Sequence, residues 1–434
     1  MMFPANDAPE REAVHFIKAG IDLKADCRRL LRAIYGDARP WASAREVLVK
    51  PNAVNFEPHV YVDPAMIGAL VAVLREDGAA RVSVMESCTN GSFTRLVFAA
   101  TGIAHAVERA GGRCVYLDEG PSVEIEMGSA GRIRVPRFAH ERLIANREGV
   151  FYIDLAKMKT HSMSTVTFCL KNQWCFVDPS CRSALHNDAL HRSIMEVNRV
   201  FVPDLCLVEG LVATNHGHFP LRGFEGQTLW NAGVLIGGRR AVAVDAACTR
   251  FLGLDPARIE HIALCASAPE DLDPPVVHHD AILGPVEPFT ADLLPTFPAG
   301  ITVHKGRERC CVEGCWSNPM CSVQVIAANY DGDGRFHVFM GKGHDPAEVD
   351  ACEGPALVVG PCAHEDVHDR LVRRLGRRNV RFSSGHNNLD ETIRHLLKLM
   401  GVSIFRSAPL PLPRMAWLFA AHFWSGSRAR IGFF

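Results

Sequence analysis

From residue 45 onward the chain alternates between short β-rich runs and amphipathic helical runs, and this alternation restricts the fold more than any other feature. "REVLVK" reads as a strand, "DPAMIGALVAVLREDG" as a helix with an Asp-Pro start and a Gly stop, and "ARVSVME" as a strand. "FTRLVFAATGIAHAVERAGG" reads as the next helix and "RCVYLD" as the next strand. Elements at this spacing build an α/β fold, a mostly parallel, doubly wound sheet with helices on both faces. Residues 122–139, "SVEIEMGSAGRIRVPRFA", read as an inserted hairpin. The alternation resumes through "VFYIDLA", "LHRSIMEVNRVF", "DLCLVEGL", "AGVLIGG" and "AVAVDAACTRFLGL".

A chain of 434 residues is longer than one typical core. The expected division is an N-terminal helical extension over 1–44, the main α/β domain over 45–267 and a proline- and acid-rich linker over 268–299. A second, smaller α/β domain follows over 300–406, with "ALVVG" and "NVRFSS" as strands, and a proline-linked aromatic tail over 407–434.

Basic and acidic side chains nearly balance, 47 against 48, which leaves no electrostatic footprint for nucleic acid. No apolar window is long enough to span a membrane, and the nearest, "MAWLFAAHFW" at 415–424, is short and broken by His422. "MMFPANDAPEREAVHF" carries acids where an export signal needs a basic start, so a cytoplasmic location is expected. In a reducing compartment the 15 cysteines are thiols, for which metal ligation or redox work is a better expectation than a disulfide framework. Cys114, Cys206, Cys248 and Cys265 lie within apolar patterns and read as small hydrophobes.

In a parallel sheet, ligands gather outside the carboxyl ends of the strands. Here those ends are polar: Lys50-Pro51-Asn52, then Glu86-Ser87-Cys88-Thr89-Asn90, then Lys157, Lys159 and His161, then Glu209-Gly210. The loop after Glu86 offers small hydroxyl and amide groups beside a helix start near Phe93, suited to an anion, although an ordinary N-cap has the same composition. Lys157, Lys159 and His161 alternate on extended chain, and Lys171-Asn172 follow shortly after. Lysine supplies positive charge, or a base when desolvated, and histidine moves protons near neutral pH. Lys159, His161, Lys157 and Lys171 are therefore the candidate catalytic residues, and Lys50, Asn52, Glu86, Ser87, Thr89, Asn90, Asn172 and Arg222 the candidate substrate contacts. A solvated loop is the competing reading of the lysines; the His216/His218 pair has the spacing to put two imidazoles on one metal, with a polar loop as its competing reading. His186, His191, His278 and His279 are lesser candidates.

Cys310, Cys311, Cys315 and Cys321 crowd one stretch, and Cys362 follows the strand "ALVVG". These five are the candidate ligands for zinc or an iron–sulfur cluster, with Cys352 as a reserve and inert or redox-sensing thiols as the alternative. No two cysteines are three positions apart, so the ferredoxin spacing is missing.

The ordered motifs "VLVKPN", "DPAMIGALVAVLREDGA", "VSVMES", "LAKMKTHSMSTVTFCLKN", "LVEGLVATNHGHFPLRG" and "GGRRAVAVDAACTRFLGLDP" resemble a prokaryotic domain of unknown function, number three hundred and sixty-two, often described as iron–sulfur cluster-binding. The likeness runs over roughly 45–265. It implies that Lys50 to Asn52, Lys159 to His161 and Leu170 to Asn172 match the family's Lys-Pro-Asn, Lys-x-His and Leu-Lys-Asn motifs, and that a cysteine module accompanies them.

The expected function is a metal- or iron–sulfur-dependent, redox-linked cytoplasmic enzyme acting on an anionic small molecule, with a homo-oligomer or a redox partner as possible company. Two alternatives stand beside it: a metal-free isomerase or lyase using Lys/His acid–base chemistry, and a non-catalytic metal or cofactor carrier.

Overall fold

A computed structural model describes residues 13–187, 189–403 and 405–432. In chain order the strands of the first part are Val14–Lys18 (β1), Glu46–Pro51 (β2), Val82–Glu86 (β3), Arg113–Tyr116 (β4), Ser122–Glu126 (β5), Arg132–Pro136 (β6), Val150–His161 (β7), Thr165–Val166 (β8), Leu205–Thr214 (β9), Leu229–Trp230 (β10), Val234–Gly238 (β11) and Val276–His278 (β12). Those of the second part are Ile301–Lys305 (β13), Phe336–Met340 (β14), Ala356–Val359 (β15) and Val380–Ser383 (β16).

The main sheet runs β12-β1-β11-β9-β7-β2-β3-β4. Its stretch from β9 to β4 is parallel throughout, while β11 runs antiparallel to both β9 and β1. The smaller sheet, β13-β14-β15-β16, is wholly parallel. The hairpin expected at 122–139 is β5 paired with β6.

Both faces of the main sheet are covered, as parallel sheets require. Val47 and Val49 point into one core with Ile153, Leu155 and the helix Pro64–Glu76, while Leu48 points into the other with Tyr152, Ala156 and the helix Ala241–Phe251. The helix Pro64–Glu76 starts where the sequence says it should: Pro64 occupies its first turn and the Asp63 side chain accepts from the backbone N–H of Ala65 at 2.8 Å.

The ends of the chain depart from the expected division. Residues 14–18, expected in a helical extension, form β1 between β12 and β11, and the helix Leu23–Tyr35 comes after it. "VHFI" is a β-rich run whose Val14, Phe16 and Ile17 fill the core, and that burial outweighs continuing a helix. The proline-rich segment over 268–299 is likewise no free linker, since Val276–His278 pairs with β1. The tail forms the helix Leu412–Trp424, which lays Met415 and Leu418 against Phe93 and Leu96. His422, fully buried, ties it down through Glu119 at 2.9 Å and Ser427 at 2.7 Å.

Chain order reverses beside β2. The path goes outward through β2, β3 and β4, then returns to the other flank of β2 with β7. The carboxyl ends of β2 and β7 therefore bound the crevice of a topological switch point.

Candidate functional site

β7 is twelve residues long and buried along its whole length, whereas its neighbour β2 has six residues. It therefore outruns β2 and carries Lys159, Thr160 and His161 into the crevice. The chain then doubles back through β8, with Thr160 opposite Val166 and His161 opposite Thr165, and enters the short helix Phe168–Asn172. That helix is seated by the buried carboxylate of Asp245, which accepts from the backbone N–H groups of Cys169 and Leu170 at 2.8 and 2.9 Å. The reversal returns Lys171 and Asn172 to the place where Lys159 and His161 end.

A cavity of about 180 Å³ lies there. Its sheet-side wall includes Lys50, Asn52, Glu86, Ser87, Thr89, Asn90, Lys159, His161, Lys171 and Asn172, all expected from the sequence, together with Arg182, His186 and His218. The opposite wall comes from the second part of the chain: Asn318, Cys321, Ser322, Val325 and Ile326 on the helix Ser317–Tyr330, and Leu389, Ile393 and Leu397 on the helix Leu389–Leu399.

Beneath the cavity lies a satisfied polar network. The Lys50 ammonium donates to Glu86 Oε2 at 2.8 Å and to Asn172 Oδ1 at 2.6 Å. Asn172 and Gln173 in turn donate to the two oxygens of Asp154 at 2.5 and 2.7 Å. Burial opposes the Lys50 charge, but the nearby acids hold its pKa above the ordinary value. Burial also pushes the Asp154 carboxyl up, to about 7. Both follow from removing charge from water and returning part of its solvation as hydrogen bonds.

The cavity-facing bases behave differently. Lys159 donates to the Val60 carbonyl at 2.7 Å, and burial together with Lys171, Lys157 and Lys50 drives its pKa well below the lysine range. Lys171 is lowered to about 7 by burial, Lys50 and Arg182. His186 is lowered to about 3, and His161 and His218 are strongly lowered, each by burial and then by neighbouring cations. His161 and His218 stack with ring centroids 4.1 Å apart and planes 3° from parallel. The backbone N–H of Met163 donates to His161 Nδ1 at 3.2 Å, so neutral His161 carries its proton on Nε2. His186 Nδ1 meets the Arg182 carbonyl at 3.0 Å and must donate, which leaves its Nε2 as an acceptor.

Several polar atoms in the same walls have no protein partner among the described residues. They are Asn52 Oδ1, Asn90 Oδ1, Thr167 Oγ1, Trp174 Nε1, His218 Nδ1 and Asn318 Nδ2. Buried polar groups are ordinarily paired, and these gather around one cavity.

Other expected residues stand elsewhere. Lys157 is outside the cavity lining and closes an ion pair with Glu209, its ammonium 2.9 and 2.7 Å from the carboxylate oxygens; an irregularity in pairing separates it from Lys159. Arg222 is exposed and pairs with Asp331. His216 turns away to the Asp292 carbonyl at 3.1 Å, so the His216/His218 pair is split. At the helix start near Phe93 the Thr94 N–H donates to the buried Asp118 carboxylate at 2.8 Å, so a protein acid already occupies that end of the helix.

The expected metal donors do not assemble. Among the described residues no three His, Cys, Asp or Glu side chains converge in a geometry able to hold a metal ion. Cys311 and Cys315 meet at 3.6 Å, and the hydrogen bond from the Cys315 thiol lowers the pKa of Cys311. Cys321 is buried and faces the main cavity instead, while Cys310 borders a separate recess with Lys305 and Trp316. Cys310, Cys311, Cys315, Cys321 and Cys362 thus do not fit a cluster or a zinc ion as one donor set.

Arg182 was not singled out from the sequence. Fully enclosed, it donates to Ser87 Oγ at 2.6 Å and to the carbonyls of Cys175 and Val177 at 3.0 and 2.8 Å, which fixes the loop after β3. Its only sequence signal is an arginine inside an otherwise small and apolar helical run. The second wall carried a signal in "LDETIRHLLKL", where Leu389, Ile393 and Leu397 recur at helical spacing, whereas along Ser317–Tyr330 polar and apolar residues mix on the cavity face.

Residues 47–250 match the model of a domain of unknown function, DUF362. The match covers most of the main α/β unit. Lys50, Asn52, Lys159, His161, Lys171 and Asn172 all fall within the matched span, so the sheet-side wall is DUF362 chain and the helical wall lies outside it. The thylakoid-associated protein sll1697 of Synechocystis sp. is 25% identical over 252 residues, which cover 56% of this chain and 73% of that protein. A crystal structure of a Thermotoga maritima protein aligns over 87% of this chain and 84% of its own at 10% identity, with a TM-score of 0.36. Among the described residues no helix is long and apolar enough to cross a membrane.

Proposed function

We propose that the DUF362 crevice is the active site of an enzyme that binds a small organic anion and moves a proton on it, in the manner of an isomerase or lyase. The observation that carries this reading is the meeting of bases short of charge with polar atoms short of partners. Lys159, Lys171, His161 and His218 are enclosed together with depressed pKa values, beside orphaned groups of Asn52, Asn90, Thr167 and Trp174. A bound anion meets two of these needs: it stabilises protonated Lys171 and accepts from the Trp174 N–H. Neutral Lys159 and His161 serve as the proton-transfer groups, since an amine whose pKa is pulled toward neutrality is a competent base. Asn172 and Lys50 hold the floor rather than react. The wealth of thiols favours a reducing, cytoplasmic setting.

The test is solvent deuterium exchange. The protein is incubated in heavy water with a panel of small 2-oxo, 2-hydroxy and unsaturated acids, and NMR reads the carbon-bound hydrogens. Exchange into one class, lost in Lys159→Met, is the expected result; absence of both exchange and anion-induced thermal stabilisation across the panel overturns the reading.

A further inference from the structure

The cavity has two unlike halves. The sheet-side wall carries Lys159, His161 and Lys171, whereas the helical wall presents Val325, Leu389 and Ile393, all of them only half-buried although they point inward. Leu389 and Ile393 are four residues apart and share a stripe of their helix with Leu397. Core side chains complete their burial by packing on one another, yet these face an opening lined with cationic groups. Apolar area left in that position is surface reserved for something that covers it.

The volume limits what that something is. At about 10–15 Å³ per water, a cavity of about 180 Å³ takes on the order of a dozen water-sized groups. An inorganic anion leaves most of it empty and the apolar wall wet. A large nucleotide exceeds it.

Resting on the anion-site reading above, we infer that the ligand is an amphipathic monocarboxylic acid: a single carboxylate at protonated Lys171, joined to an apolar body of about half a dozen carbons that lies against Val325, Leu389 and Ile393. Selection then comes from two independent sources. The cations admit the acid, and the helical wall ranks acids by the apolar area they bury.

The test is a chain-length series, acetate, butyrate, hexanoate and octanoate, titrated into the full-length protein and followed by ligand-observed NMR and calorimetry. Each added methylene is expected to tighten binding about fourfold until the cavity is filled. Ile393→Thr and Val325→Thr are expected to flatten that slope, and a thermal melt shows that each variant is folded. Acetate binding with no gain along the series overturns the amphipathic-acid inference while leaving the anion site intact. A slope that both variants retain overturns the assignment of the apolar body to this wall. If acetate, the longer acids and inorganic phosphate all fail to bind, the anion-site reading itself falls.

Discussion

Two stretches of this chain gather reactive side chains at similar density, and they meet opposite fates. The strand ends of the main sheet converge on one cavity, whereas the cysteines over 310–321 scatter, with Cys311 and Cys315 paired, Cys321 facing the cavity and Cys310 beside another recess. The difference lies in what brings the groups together. Lys50, Glu86 and Lys159 sit on separate strands whose hydrogen-bonded register forces their ends to one edge. The cysteines run from extended chain at Cys310 and Cys311 into the helical residues Cys315 and Cys321, which are distributed around the helix axis. At about 100° per residue, Cys315 and Cys321 point roughly a third of a turn apart. Closeness in sequence is a poorer guide to a shared site than a common end of a parallel sheet.

The contrast extends to pairs of lysines, and the largest expected effect tests it. Lys50→Met strands the buried Glu86 carboxylate without its partner and should cost about 3–5 kcal/mol in urea denaturation. Lys159→Met does the reverse: it removes a buried amine whose hydrogen bond goes to the Val60 carbonyl rather than to a carboxylate, so stability should hold or rise while anion affinity stays within about threefold and proton exchange into the bound acid is lost. Equal destabilisation by the two variants breaks the distinction between floor and reacting groups.

The next effect is a pH dependence. Lys171 titrates at about 7 when free, below the ordinary 10.5, and an anion raises that value. Binding therefore takes up a proton above pH 7, and affinity weakens by up to about tenfold per pH unit as pH rises beyond 7. Calorimetry in buffers of different ionisation enthalpy reads the proton directly. For stability alone the sign runs the other way: between about 7 and 10.5 the unfolded chain holds more protons at this lysine than the folded one, so this group's penalty fades as pH rises.

The smallest effect falls on the scattered cluster. Cys311→Ser with Cys315→Ser should leave anion affinity within about twofold and lower stability by about 1 kcal/mol, the loss expected of packing thiols. Iodoacetamide at neutral pH should modify Cys311 ahead of Cys321, whose thiol burial pushes up to about 12. Loss of anion binding in the double variant would tie the two clusters into one site after all.

Much of the fold and one wall of the site were legible from the residues. Strand and helix periods gave the parallel sheet, and the polar residues following "VLV", "VSVM" and "YIDLA" named most of the sheet-side wall. What stayed hidden depended on long-range partners. Nothing local in "KMKTH" says that Lys157 is claimed by Glu209, fifty-two positions away, while Lys159 meets only a carbonyl. Nothing in "VHFIK" says that β1 is held between strands more than two hundred residues further on. The helical wall was readable as an amphipathic stripe, but not as the face of a cavity, because its other side is contributed by a distant part of the chain.

The twelve-residue length of β7 divides the labour of adaptation. Its outer end is an extension of a ladder fixed on both edges, so the groups it carries cannot shift without unpicking the centre of the sheet. The wall opposite is only side chains on helices, replaceable one at a time at little structural cost. Under the function proposed above, chemistry would be held on the rigid half of the crevice, and selectivity for the bound acid could change on the other half alone.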